Sequence, residues 1–224
     1  MKNSSFRYKV TEAIMKENFT SINVVIDRSG SMSELSADTI GGFNQFLQEQ
    51  KDLPGEAVLT LCTFSTDYTI VHDCVKLADV PKLTKRTYVA RGGTALLDAL
   101  GTTIDEVGKK LAAMPEEDRP SKVLFLVITD GEENSSEIFT RDQIKEKVEH
   151  QKNVYKWDFV FMGANLDSIA EGRSIGIAQN CTMNYSATPA GTRGLYLDIS
   201  KSVTRYRTQG PSNSGFFGDS NGSK

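Results

Sequence analysis

Apolar residues follow two rhythms along this chain, and the switches between them mark its elements. Apolar-rich runs at about 21–27 (SINVVID), Ala57 to Phe64 (AVLTLCTF), Lys122 to Thr129 (KVLFLVIT) and Trp157 to Met162 (WDFVFM) predict strands, the continuous run at Lys122 to Thr129 being of the type found in sheets covered on both faces. Between them the period lengthens. Ile40, Phe43, Phe46 and Leu47 form an i, i+3, i+6, i+7 stripe that predicts a core-facing helix over 37–51, with Asp38 in its acidic first turn. Leu96, Leu97, Leu100, Ile104, Val107 and Leu111 predict a second helix over 94–113. Further helices are expected near 140–150, 166–174 and 190–206, and a short strand around Cys181 to Tyr185. Ser65-Thr66-Asp67 is a turn signal, so Tyr68 to Val75 should return as an antiparallel edge strand, with His72 exposed on it. Val80 to Leu83 reads as a short helical turn, followed by an irregular loop to Gly93. His150 is expected to end a helix and Trp157 to pack in the core. Alternating strands and helices predict an α/β, doubly wound, mostly parallel sheet.

The flanks read differently. Residues 1–19 form an N-terminal extension, 20–207 the α/β domain, and 208–224 a Gly/Ser-rich tail expected to be disordered, Phe216-Phe217 included. With 38% hydrophobic and 25% charged residues, the chain has an ordinary globular composition. A net charge of −3 gives no reason to expect nucleic acid or an anionic membrane as partner. No apolar stretch reaches the ~20 residues of a membrane span, and no apolar signal core follows Met1-Lys2. Three cysteines without a CxxC pair read as reduced residues of a cytoplasmic protein, and two histidines argue against a histidine-rich zinc site.

Three separate stretches carry the candidate chemistry. Asp27-Arg28-Ser29-Gly30-Ser31 follows the first apolar run, Gly92-Gly93-Thr94 precedes a helix, and Thr129-Asp130-Gly131 follows a later run. In an open parallel sheet, the carboxyl ends of strands are where ligands bind. Two carboxylates and three hydroxyls are the oxygen donors that hard cations such as Mg²⁺ prefer. Asp27 is expected on a solvent-facing loop, with Gly30, Gly92 and Gly93 letting backbone crowd the ion.

Asp27-x-Ser29-x-Ser31, Thr94 and Asp130-Gly131, each in its expected element, together resemble the von Willebrand factor type A domain and its metal-ion-dependent adhesion site. The resemblance covers roughly residues 20–206. It implies a Rossmann-like sandwich with one antiparallel edge strand. It also implies that Ser29 and Ser31 ligate the metal directly, that Thr94 does so in the ligand-ready state, and that Asp27 and Asp130 act directly or through water. Mg²⁺ is the expected ion, with Mn²⁺ or Ca²⁺ as alternatives. With neutral direct ligands the ion stays electrophilic, and in the family it takes a Glu or Asp carboxylate from a partner protein. The chain then reads as a stand-alone intracellular module of bacterial or bacteriophage type, not an enzyme. Arg28, Arg91, Glu132 and Glu133 flank the ligands as a candidate partner-binding rim; the arginines could instead pair with Glu132 and Glu133, and the glutamates could cap the next segment. Two other classes stay open. One is a Mg²⁺-dependent phosphotransferase or hydrolase on a Rossmann-like fold, although Ser29 stands where that chemistry needs a second acid. The other is a metal-independent assembly subunit.

Overall fold

Side-chain alternation in the central strands decides which helix lies on which face. In the strand Lys16–Asp27 (β1), Ile22, Val24 and Ile26 point to one side and Val25 to the other. In Pro120–Thr129 (β4), Leu124, Leu126 and Ile128 join the first side, and Val123, Phe125 and Val127 the second. Both faces are apolar, so both must be covered. The computed structural model describes residues 16–164 and 167–218. Its remaining strands are Glu56–Phe64 (β2), Tyr68–Lys76 (β3), Asp158–Ala164 (β5) and Thr182–Tyr185 (β6), in the order β3-β2-β1-β4-β5-β6. β3 pairs antiparallel with β2; every other pairing is parallel.

The helices are Ser36–Lys51 (α1), Leu96–Ala113 (α2), Arg141–Tyr155 (α3), Ser168–Ser174 (α4) and Pro189–Gln209 (α5). Phe43, Phe46 and Leu47 of α1 and Leu195, Tyr196, Ile199 and Val203 of α5 cover the first face. The α2 leucines, with Ile144 and Val148 of α3, cover the second. Trp157 packs as expected, its ring stacked on Phe125 at 5.5 Å. Three of the helix starts follow side-chain caps. Thr140 and Gln143 close a reciprocal capping box on α3, Asp167 accepts from the amides of Ile169 and Ala170, and Thr188 accepts from Gly191 ahead of α5.

Several local expectations need correction. The helical turn lies at Leu77–Asp79, not at Val80 to Leu83. α3 continues to Tyr155, so His150 is inside it rather than at its end. His72 is buried, at 8% exposure, where an exposed strand residue was expected. Register shifts in the facing strand between Leu59 and Cys62, with φ of +54° at Cys74, mark a bulge that changes which face each residue meets.

The tail is the largest difference. The extension 208–224 was expected to be disordered, yet α5 reaches Gln209 and the chain folds back over residues 210–218. Phe216 and Phe217 are 7% and 3% exposed and belong to the first-face core. The Phe216 amide donates to the Asn180 carbonyl at 3.1 Å, and its ring packs on Tyr206. Two aromatic rings outweigh the Gly/Ser composition around them. Residues 219–224, and 1–15 of the expected N-terminal extension, lie outside the described residues, while β1 itself begins at Lys16.

Candidate metal-binding site

β1 and β4 lie side by side and parallel, in register at Ile26 and Ile128. The chain leaves β1 toward β2 on one side and returns to β4 on the other, so the strand order reverses between them. A crevice outside the carboxyl ends of such a pair is where open α/β sheets bind ligands. Asp27 ends β1, and Asp130 follows the last residue of β4.

Asp27 lies at the base of this crevice with 0% exposure, not on a solvent-facing loop. Its Oδ1 accepts from the Ser29 amide at 2.6 Å and its Oδ2 from the Thr129 hydroxyl at 2.6 Å. The buried Tyr88 hydroxyl donates to the Asp27 carbonyl at 2.6 Å. Above it, the Ser29 and Ser31 hydroxyls are 3.1 Å apart, and Ser31 Oγ donates to Asp130 Oδ1 at 2.7 Å. Thr94 comes from the third stretch. A methyl placed on Gly131 would meet Thr94 Oγ1 at 3.6 Å and Ser31 Oγ at 4.0 Å, so these two hydroxyls flank one spot. The five residues singled out from the sequence therefore converge on one cradle.

Backbone bonds lock the three loops together. The Gly30 amide donates to the Gly92 carbonyl at 2.9 Å, and the Arg91 amide to the Arg28 carbonyl at 2.8 Å. Thr94 is held at both ends by Asn134, its amide donating to Asn134 Oδ1 at 2.9 Å and its carbonyl accepting from the Asn134 amide at 3.0 Å. The glycines serve this loop packing. Gly92 has φ of +71°, and a Cβ there would come within 2.7 Å of Thr66 Oγ1; one on Gly93 would strike the Ser135 hydroxyl.

Electrostatics separate this cradle from an ordinary polar turn. Neither Asp27 nor Asp130 has a cationic partner among the described residues. Burial pushes the Asp27 carboxyl up to about 6, against the lowering pull of the Thr129 and Ser29 hydrogen bonds, and the nearby Asp130 charge raises it further. Burial raises the Asp130 carboxyl as well. Buried carboxylates of this kind call for a counter-cation. No group of three or more His, Cys, Asp or Glu gathers to hold a metal among the described residues. A cation here would rest on two carboxylates and three hydroxyls, a donor set that fits a hard dication such as Mg²⁺ and does not fit a soft metal.

The rim residues divide. Arg28 is 5% exposed and Arg91 is exposed, and both donate to Asp67, at 2.8 and 3.0 Å, rather than to Glu132 or Glu133. Asp67 also accepts from the Ser65 hydroxyl, and these partners hold its carboxyl down at about 2. Glu133 has an internal task. It accepts from the amides of Leu97, Ser135 and Ser136, and so caps the start of α2 and shapes its own loop. Glu132 is exposed. The sequence assigned no role to Thr129, Tyr88 or Asp98, and read Asn134 only with Glu132 and Glu133, as shaping partner choice or capping the next segment, not as the residue that holds Thr94. Of the first three, only Asp98 carried a signal, as an acid in the first turn of α2; it accepts from the amides of Glu137, Ile138 and Phe139.

No family model matches the chain, and no curated protein matches it. Solved structures do. Proximal thread matrix protein 1 from the mussel byssus matches with a TM-score of 0.62 at 15% identity, over 85% of this chain and 48% of that one. A further structure of that mussel protein carries zinc in its metal-ion-dependent adhesion site. The von Willebrand factor domain of the pili tip protein Mfa5 from Porphyromonas gingivalis matches at 0.61 and 11% identity, over 90% of this chain and all of that one. A von Willebrand factor type A protein from Catenulispora acidiphila matches at 0.56 and 15% identity, over 84% of this chain and 43% of that one. The chain thus spans about half the length of the mussel protein and less than half of the Catenulispora one. At such identities the likeness speaks for the fold alone. The chain has the fold of a von Willebrand factor type A domain, a six-stranded, mostly parallel sheet with one antiparallel edge strand between two helical layers.

Proposed function

We propose that this chain is a divalent-cation-dependent protein-recognition module. In this reading Asp27, Ser29, Ser31, Thr94 and Asp130 hold Mg²⁺, with Mn²⁺ or Ca²⁺ as substitutes, and a partner protein supplies a Glu or Asp carboxylate. The observation that carries it is the pair of buried carboxylates, without a cationic partner among the described residues, in the β1/β4 crevice. Bound there, the cation would supply a Lewis-acidic position for an anionic oxygen. The residues do the rest. Thr129 and the Ser29 amide fix the Asp27 carboxylate, Ser31 aligns Asp130, and Asn134 holds Thr94 from both sides.

Recognition rather than catalysis suits the hydroxyls. The Ser29 hydroxyl meets the Ser31 hydroxyl, and Ser31 donates to Asp130, a carboxylate that this reading assigns to the cation and not to a base. The matching structures support the same reading, being a byssal matrix protein and a pilus tip domain. A cytoplasmic setting belongs to this reading, resting on three cysteines without a CxxC pair. Arg91 and Glu132, both exposed beside the cradle, are the rim positions open to a partner.

A pull-down from host lysate tests this reading. The wild-type chain should capture a protein in Mg²⁺ that is released by EDTA and not captured by Asp27→Asn. Capture indifferent to both would move the interaction off this site.

A further inference from the structure

A second recess opens beside the cradle, on the side of β3, the outermost strand of the sheet. It is a groove of about 440 Å³, and Arg28, Arg86, Arg91, Thr63, Ile70 and Val89 are among its lining. Two independent features mark it as a seat for something.

The first is Thr63. Its side chain is 1% exposed, and its hydroxyl has no hydrogen-bond partner among the described residues. An unsatisfied buried hydroxyl costs about 1–3 kcal/mol, and of the seven unsatisfied buried side-chain atoms among the described residues Thr63 Oγ1 is the one that belongs to this groove's lining. The second is charge. Three guanidinium groups line this groove in a chain whose net charge is −3. Asp67 is shared between Arg28 and Arg91, while the exposed Arg86 has no ion-pair partner among the described residues. Positive charge is therefore in excess. Val89, 49% exposed, and the half-buried Val71 add an apolar strip beside it.

The groove adjoins the cradle loop: Arg28, in its lining, stands between Asp27 and Ser29 in the chain, and the wall carrying Arg91 and Gly92 is bonded to the Arg28 carbonyl and the Gly30 amide. Guanidinium groups take carboxylates in a two-pronged grip that matches their planar fork. We propose that the groove seats an extended acidic segment of the protein partner, with one carboxylate at the cradle, a second on Arg86 and Arg91, and a polar group on the Thr63 hydroxyl. The proposal rests on the metal-bridged reading of the cradle and adds the class of partner sequence: acidic residues alternating with apolar ones.

Fluorescence anisotropy with a labelled octapeptide of alternating glutamate and valine tests it, with the glutamine counterpart as control. The wild-type chain in millimolar Mg²⁺ should bind the glutamate peptide and not the glutamine one. Arg86→Gln and Thr63→Val should each weaken binding by roughly fivefold while leaving the Mg²⁺-induced melting shift unchanged. Thr63→Val is nearly isosteric and removes an unsatisfied group, so it should not unfold the chain. Wild-type affinity in both variants, with dependence on Mg²⁺ retained, overturns the groove and leaves the cradle reading intact. Binding that is lost in Arg86→Gln but indifferent to EDTA and to Asp27→Asn supports the groove and overturns the metal bridge. No binding of the glutamate peptide by the wild-type chain at millimolar concentration overturns the acidic segment as occupant.

Discussion

Asp27 is a fully buried carboxylate with two hydrogen-bond donors and no cation beside it among the described residues. Burial pushes its carboxyl from the usual 3.8 up to about 6 in the folded chain. The folded state therefore holds more protons than the unfolded state between those values. The sign follows: this group's contribution to stability is full below 3.8 and is lost as pH rises through about 6. Metal-stripped protein should accordingly lose stability across that window as pH rises. Asp27→Asn should remove the penalty at neutral pH, raising metal-free stability by up to about 3 kcal/mol in urea unfolding. Thr129 Oγ1 can accept from the new amide because its proton has the Gly131 carbonyl as an alternative acceptor at 3.0 Å. An unchanged or lowered metal-free stability would mean that the charge is already compensated. The five donors could be picked out in the sequence because strand ends and a helix start fixed their places. Asn134, Thr129 and Asp67 could not, because what each of them does depends on which loop lies opposite, and local pattern carries no such information.

At the scale of elements, α2 starts without a side-chain cap of its own. Loop 133–139 supplies one through Glu133, and Asp98 answers by accepting three amides of the same loop. Asp98→Ala should leave those amides unsatisfied and cost about 2–4 kcal/mol, read as a lower urea midpoint. A loss below about 0.5 kcal/mol would show that water replaces the carboxylate without strain. The tail gives a second prediction. Phe217 is 3% exposed in the first-face core, so Phe217→Ala should cost about 3–4 kcal/mol. Unchanged stability would return residues 210–218 to the disordered reading. Strands and helices could be located because their periods are local and their apolar runs long. The tail could not, because its composition is that of a linker and only two rings carry its packing. His72 escaped for a related reason: the bulge facing it breaks the alternation on which its exposure was inferred.

At the scale of the whole molecule, the two-sided burial of β1 and β4 already implied helices on both faces. The strand order was not legible, since parity says which way a side chain points but not which strand is its neighbour; the resemblance implied only a mostly parallel sandwich with one antiparallel edge strand. That order is what sets Asp27 beside Asp130, at the point where the sheet reverses direction. Fold and site are thus one fact seen at two scales, and a ligand of the native cradle must stabilise the whole domain.

Thermal unfolding of metal-stripped protein, with and without Mg²⁺ and alongside Asp27→Asn, tests this account most directly. At roughly a hundredfold excess over the dissociation constant, a bound cation adds about 2.7 kcal/mol, which for a chain of this size raises Tm by about 5–10 °C. The account predicts that shift for the wild type and its absence in Asp27→Asn. A wild-type Tm indifferent to saturating Mg²⁺, Mn²⁺ and Ca²⁺ alike would contradict it.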